Sequence, residues 1–146
     1  MRRTGNSIAG DAFLRSIETS FRNAISCLNA VNADDSVGDD LATKIMVANS
    51  TYVVRFGVRL RDKVHTFTGY RSVHSAHFEP VNGRIRFPPD LNQDEVEALA
   101  APMSYKSSLL EVPSGGAQGG LITHPRDWAR TELEHITRPF THALAT

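Results

Sequence analysis

The alternation of apolar and polar side chains along residues 51–61 is the feature that most constrains the fold of this chain. Successive side chains of a β-strand point to opposite faces, so the pattern predicts a strand with one buried face. Asp62-Lys63 interrupts the pattern, and residues 64–73 resume it with side chains that favour strands. We therefore predict an antiparallel pair of strands. The apolar residues expected on its buried face are Tyr52, Val54, Phe56, Val58 and Leu60.

Helical spacing precedes these strands. Residues 11–28 carry apolar side chains three and four positions apart, which predicts a helix with one buried stripe. The acidic stretch 29–40 is rich in loop formers and is expected to be an exposed connection. Cys27 is the single cysteine, so no internal disulfide can form, and we expect it to be a small buried side chain of the helix. The predicted stripe consists of Leu14, Ile17, Phe21, Ala24 and Leu28.

A short strand and two further helices follow. Residues 84–87 predict a third strand, which Pro88-Pro89 ends. Asn92 followed by Glu95 resembles a capping box, and helical spacing continues from there to about Leu110. The last helix is expected to bury Leu133, Ile136, Phe140 and Leu144, with Trp128 packed against Leu133.

Helices on both sides of a few strands predict an α/β fold, three-layer-like, in which a small mixed sheet is flanked by helices. We expect one domain over residues 1–146, with a helical lead-in at 1–48 and the sheet and its helices at 49–146. No strand is followed by the glycine pattern GxGxxG, and GxxxxGK[ST] is absent. The sequence therefore predicts no Rossmann domain.

The balance of charged residues indicates which partners are not expected by default. The chain has 16 Lys plus Arg and 16 Asp plus Glu, so neither nucleic acid nor a membrane surface is expected as a partner. No apolar stretch has the length of a signal peptide or a membrane span. We therefore expect a cytoplasmic protein.

Six histidines raise the question of a metal site. His74 and His77 form the nearest pair, but zinc requires three or four converging ligands. We therefore expect no bound metal. Cys27 with a histidine would form a nucleophilic dyad, yet its place in a helix favours a structural thiol.

Two glycine pairs, Gly115-Gly116 and Gly119-Gly120, surround Gln118. Glycine lets the backbone approach a ligand or another strand closely, so residues 113–120 predict a loop or a tight backbone crossing. Composition alone favours a plain turn. Lys106 lies at the edge of the apolar face of the preceding helix, so its stem is expected to be buried while its ammonium faces a cleft.

An ordered series of segments resembles the N-terminal dimerisation and substrate-binding domain of the Glu/Leu/Phe/Val dehydrogenases. Together the segments cover about two thirds of the chain, and the form of the glycine segment points to the glutamate dehydrogenase branch. They are GYR at 69–71 with His74, PVNGRIRF at 80–87, EVEALAAPMSYK at 95–106, PSGGAQGG at 113–120 and ELEHITRPFT at 132–141.

The resemblance implies a site built from three lysines, of which this chain has one. Lys106 corresponds to a lysine that grips a substrate carboxylate, and Asn82 stands where a second one is expected. Gln118 stands at the catalytic lysine, and an amide neither carries charge nor takes a proton in the neutral range. No catalytic residue is thus expected to be intact. The substrate-binding residues that the resemblance implies are Asn82, Gly83, Lys106, Gly115 and Gly116.

Other departures point the same way. Pro102 and Pro139 fall inside predicted helices, where a proline removes a backbone hydrogen bond, and Ala129 replaces the usual helix cap. Arg84 replaces the second glycine of the family's KGG turn. The chain stops after the last predicted helix, before the segment that leads to the family's nucleotide domain.

These observations lead to three hypotheses. We expect a glutamate-dehydrogenase-like domain that is non-catalytic by itself, forms homo-oligomers or hetero-oligomers with a full-length relative, and holds an amino acid or 2-oxo acid. The alternative is a fragment or subunit of an active NAD(P)-dependent glutamate dehydrogenase, which deaminates L-glutamate to 2-oxoglutarate. A decayed gene product is the second alternative. No cofactor is expected on this chain, since NAD or NADP belongs to a complete family member.

Overall fold

A computed structural model describes residues 7–32 and 36–144 of the chain, and only the backbone of residues 7–11. Three longer helices and a short one accompany four strands, and none of the described helices is long and apolar enough to cross a bilayer. The elements are α1 Ser7–Val31, α2 Asp39–Met46, β1 Ser50–Leu60, β2 Lys63–Val73, β3 Val81–Arg86, α3 Gln93–Leu109, β4 Gly115–Leu121, a 3-10 turn Pro125–Asp127 and α4 Arg130–Leu144.

The four strands form one mixed sheet in the order β1-β2-β4-β3. β2 pairs antiparallel with both β1 and β4, whereas β3 runs parallel to β4. Helix α3 packs on β4 across one face, α4 packs on β1 and β2, and α1 lies on α3. The predicted fold class, a small mixed sheet flanked by helices, is confirmed, and the sheet has no Rossmann fold.

The core lies between α4 and the sheet. Phe56 stacks against Phe67 and Phe140, with ring centroids 5.8 Å and 6.3 Å apart. A side chain at Gly69 would overlap the Phe140 ring, so the glycine lets the helix settle onto the strand. The fully buried members of this cluster are Leu60, Phe67, Leu121, Ile136 and Phe140.

The β1–β2 pair is confirmed, but its turn lies one residue earlier than predicted. Leu60 pairs with Lys63, and Arg61 and Asp62 occupy the turn with φ of 50° and 60°. Two positive φ values are typical of the hairpin turn that matches strand twist. The Arg61 guanidinium is held there by two 2.7 Å hydrogen bonds to Glu132. A tertiary contact with α4 therefore holds Arg61 in the turn, one residue before the position that the sequence indicates.

Helices α1, α3 and α4 form where the sequence predicts helices, and the cap of α3 is confirmed. Asn92 Oδ1 accepts a 2.8 Å hydrogen bond from the Glu95 amide. At the start of α4, Ala129 offers no side-chain oxygen, yet Glu132 Oε2 accepts from the Ala129 amide at 2.8 Å, which is half of a capping box. Both α3 and α4 continue through their internal residues Pro102 and Pro139.

Several burial predictions were wrong, chiefly on α1. Cys27 is exposed, because the described part of α1 packs mainly against α3 and leaves the side that carries Cys27 to solvent. Ala24 and Leu28 of the predicted stripe are exposed for the same reason. Tyr52 is 57 % exposed, so the predicted buried face of β1 does not include it. The predicted loop 29–40 is shorter, because α1 runs to Val31 and α2 begins at Asp39.

Candidate functional site

The glycine segment forms β4 and not the predicted loop. Gly115–Leu121 is buried throughout, with β2 paired along one edge and β3 along the other. Nothing in its composition indicates a strand, because glycine is depleted in strands. Glycine occupies these positions because the neighbouring elements leave no room for side chains. A side chain at Gly116 would overlap the Ser104 backbone of α3, and one at Gly120 would overlap Leu91. The expectation of a tight backbone crossing is correct in this sense.

Gln118 is the only residue of β4 with a long polar side chain, and it is 3 % exposed. It shares the α3 face of the sheet with Gly116 and Gly120, since alternate residues point the same way. Its Nε2 donates a 3.0 Å hydrogen bond to the carbonyl of Gly119. In register, Gln118 stands between Ser72 of β2 and Arg84 of β3. The side-chain amide of Gln118 is thus bonded to the backbone of its own strand.

The first residues of β3 and β4 pair with each other, and they include the other predicted site residues. Asn82 pairs with Gly116 and Gly83 with Ala117 in the parallel register. The Gly115 amide donates to the Phe78 carbonyl at 2.9 Å. Asn82 is exposed at the edge of the sheet, and a side chain at Gly83 would overlap the Ala117 backbone. Backbone contact therefore explains these glycines without a ligand.

Lys106 lies in the last turn of α3 and is exposed. The predicted burial of its stem is wrong, because the sheet-facing side of α3 is occupied by smaller residues such as Ala100 and Ser104. Lys106, Asn82 and Gln118 nevertheless all lie on the side of the sheet that carries α3. Of the three, only Gln118 is buried. The arrangement offers one exposed cation and two amides, which are groups that can bind a carboxylate, and the amides neither carry charge nor take up a proton near neutral pH.

His74, the histidine of the GYRxxH segment, is buried between β2 and α3. Its Nδ1 lies 2.9 Å from Ser104 Oγ, and the ring meets Tyr105 edge-on at 5.3 Å. Burial lowers the pKa of His74, and backbone carbonyls of Ile45 and Met46 oppose that shift without completing a hydrogen bond to Nε2. Burial also raises the pKa of Tyr105 to about 12. His74 is therefore a neutral interior side chain at neutral pH.

The depressed pKa of His74 predicts a pH dependence of stability. The unfolded chain takes up a proton near the ordinary histidine pKa of about 6.5, whereas the folded chain takes it up only at lower pH. We therefore expect the free energy of unfolding to fall as pH drops below about 6.5. Urea unfolding at about pH 7.5 and about pH 5 should show a smaller decrease for His74→Gln than for the parent chain. An equal decrease in both would contradict the assignment.

The same histidines are the candidate ligands for a metal ion. Among residues 7–32 and 36–144, no group of three or more His, Cys, Asp or Glu side chains is placed to hold a metal ion. His77 lies on the surface, where its Nδ1 is 3.1 Å from Ser75 Oγ. The buried His74–Ser104 contact was not predicted, since a serine in a helix carries no sign that it faces a strand from another part of the chain.

Comparison with known proteins gives one consistent result. The profile of the Glu/Leu/Phe/Val dehydrogenase dimerisation domain matches residues 48–146. A probable glutamate dehydrogenase of Sinorhizobium fredii is 51 % identical over 106 residues, which cover 73 % of this chain and 24 % of that protein. A glutamate dehydrogenase of Thermotoga maritima is 36 % identical over 121 residues, which cover 82 % and 29 %. This chain thus spans about a quarter of the length of these relatives.

Solved structures agree on the fold. Glutamate dehydrogenase from Peptoniphilus asaccharolyticus superposes with a TM-score of 0.76 at 29 % identity, covering 86 % of this chain and 30 % of that one. The leucine-bound hetero-hexameric glutamate dehydrogenase from Thermus thermophilus gives 0.75 at 26 % identity, covering 88 % and 30 %. The described sheet and helices therefore have the architecture of the N-terminal domain of such enzymes.

Proposed function

The chain belongs to the Glu/Leu/Phe/Val dehydrogenase family through its dimerisation domain, and from that membership we propose a glutamate-dehydrogenase-like oligomerisation and substrate-holding domain that is non-catalytic by itself. Gln118 carries the proposal. The family resemblance implies a catalytic lysine at this position, and the amide there is buried and bonded to its own strand. Loss of general acid/base assistance alone typically lowers a rate by a factor of about a hundred to ten thousand.

The edge of the sheet supports the oligomerisation part of the proposal. β1 is an edge strand over its full length, and at the end away from the β1–β2 turn it presents Tyr52 and Val53 at 57 % and 43 % exposure. An open edge with exposed apolar side chains is a template for pairing with another chain. A second copy, or a full-length relative, is the partner that we propose.

Lys106 supports the ligand part. It is an exposed ammonium on the same side of the sheet as Asn82, whose amide can donate to a carboxylate. We propose that an amino acid or 2-oxo acid is held there weakly, next to the backbone of Gly83, Gly115 and Gly116. NAD or NADP would be bound by the nucleotide domain of a complete family member, so we propose no cofactor for this chain.

Native mass spectrometry and calorimetric titration test both parts. We expect dimers or larger oligomers, and saturable binding of glutamate or 2-oxoglutarate that Lys106→Gln weakens about tenfold, as for loss of one charged hydrogen bond. Lys63→Gln, at the first residue of β2, is the matched control and should bind like the parent chain. A monomer that binds neither ligand would remove the basis of the proposal.

A second candidate is favoured by the 51 % identity to the Sinorhizobium protein. In that case the domain is part of an active NAD(P)-dependent glutamate dehydrogenase, completed by a nucleotide domain. Mixing the chain with such a domain and following NAD(P)H absorbance would show glutamate oxidation. If neither the parent chain nor Gln118→Lys yields NAD(P)H in that mixture, the catalytic candidate fails and the non-catalytic one stands.

A further inference from the structure

A cavity of about 290 Å³ lies away from Gln118, where α2, the start of β1, the end of β2 and the second half of α3 meet. Neither Asn82, Lys106 nor Gln118 lines it, although its lining residues Ser75 and Ser104 lie against the backbone of Gly115 and Gly116. It is lined instead by both histidines of the HxxH pair, His74 and His77, together with Lys44. The function proposed above uses none of these three side chains.

The polar lining residues can donate hydrogen bonds, and one of them is a cation. Lys44 supplies an ammonium, and Asn49, Ser75 and Ser108 supply an amide and hydroxyls. Of the described residues that line the cavity, none is Asp or Glu. His74 is 4 % exposed, and its Nε2 is a buried polar atom without a hydrogen-bond partner among the described residues. This charge distribution suits an anion.

A metal ion suits the same cavity poorly. Its only nitrogen ligands of the usual kind are two imidazoles, whereas zinc takes three or four ligands and hard cations take oxygen ligands from carboxylates. One imidazole nitrogen of His74 is already engaged with Ser104 Oγ at 2.9 Å. We therefore interpret the HxxH pair as part of an anion-binding site.

Part of the cavity wall is apolar, and this part sets the ligand class. Leu41, Ile45, Val47 and Tyr105 contribute to it. A bare inorganic oxyanion would leave this wall uncovered, whereas a short hydrocarbon chain would bury apolar surface against it. The volume lies at the lower limit of small-molecule pockets, which are about 300–1,000 Å³. We propose that the cavity binds a small aliphatic carboxylate, with its carboxylate at Lys44 and its chain against Ile45 and Val47.

Proton–nitrogen NMR titration of the 146-residue chain tests the proposal, with pentanoate and orthophosphate as separate probes. We expect saturable shifts of the Asn49 and Ser75 amides with pentanoate and much weaker ones with orthophosphate. Lys44→Gln should weaken pentanoate binding about five- to tenfold, as for loss of one charged contact. Val47→Trp should abolish it by filling the cavity; Val47 is 62 % exposed, so this variant should fold.

Two control variants separate this cavity from other sites. Lys63→Gln removes a distant charge and Lys106→Gln alters the site of the proposed function, and both should bind pentanoate like the parent chain. The proposal is overturned if pentanoate gives no saturable shifts, if Lys44→Gln binds as well as the parent chain, or if orthophosphate binds equally tightly. Binding that Lys106→Gln weakens and Lys44→Gln does not would also overturn it, while supporting the function proposed above.

Discussion

A Gln118→Lys variant is expected to be less stable than the parent chain by about 3 kcal/mol, even though it restores the residue that the family resemblance implies. The side chain is 3 % exposed, and Arg84 is its neighbour in register on β3. Burying an ammonium disfavours its charged form, so the pKa of the new lysine should lie well below its usual value of about 10.4.

The pH dependence identifies the cause of this instability. At pH values below the lowered pKa of the folded state, the lysine is protonated in both states. The buried ammonium then destabilises the folded state by the full amount. As pH rises from about 7 to about 10, the unfolded lysine also begins to lose its proton, and the variant should approach the stability of the parent chain. Urea unfolding at both pH values measures this difference.

Gln93→Lys is the matched control, since it makes the same substitution at an exposed position in the first turn of α3. It should change stability by less than about 0.5 kcal/mol at either pH. A Gln118→Lys variant whose loss of stability does not shrink at high pH would show that steric overpacking, not charge burial, is responsible.

Gly116→Ala is expected to cost about 3 kcal/mol, the upper end of the range for overpacking, and to lower Tm by about 10 °C. The added methyl would meet the backbone of Met103 and Ser104, which a helix cannot move without shifting α3 as a whole. Elsewhere the same substitution tends to stabilise, by about 0.4–1 kcal/mol, because it restricts the unfolded chain. A large loss here would therefore reflect the distance between α3 and β4.

Gly57→Ala provides the comparison on edge strand β1. A methyl there would lie 3.3 Å from Val64 Cγ1, a side-chain atom that can shift. We expect a change of less than about 0.5 kcal/mol by thermal unfolding. Equal losses at Gly57 and Gly116 would mean that glycine is required in this sheet for a reason other than helix packing.

Much of the fold could be predicted because local patterns agreed with tertiary structure. Alternation along β1 and the helical spacing of α4 arise from the same contacts that bury Phe67, Ile136 and Phe140, and the Asn92 cap of α3 is a local contact that its own segment specifies. β4 could not be predicted this way. Its burial comes from two neighbouring strands and from α3, and its glycines carry no side-chain pattern that would reveal these partners.

The residues of the candidate site were likewise predicted only in part. Gln118 was singled out because ordered motifs flank it, and its buried place on β4 follows from the strand that the glycines form. The burial of Lys106 was predicted wrongly, since helical spacing does not tell which part of a partly apolar face meets the sheet. The His74–Ser104 contact joins segments distant in sequence, so neither residue alone indicates it.

The position of β4 between β2 and β3 also has a consequence for synthesis. β2 and β3 leave the ribosome before the strand that separates them exists, and each then has an open edge that only residues 115–121 can satisfy. A nascent chain that has not yet reached β4 is therefore the form most exposed to wrong strand pairing with other chains. A chaperone that shields residues 63–86 until synthesis passes residue 121 would protect this domain more than one acting on the finished chain.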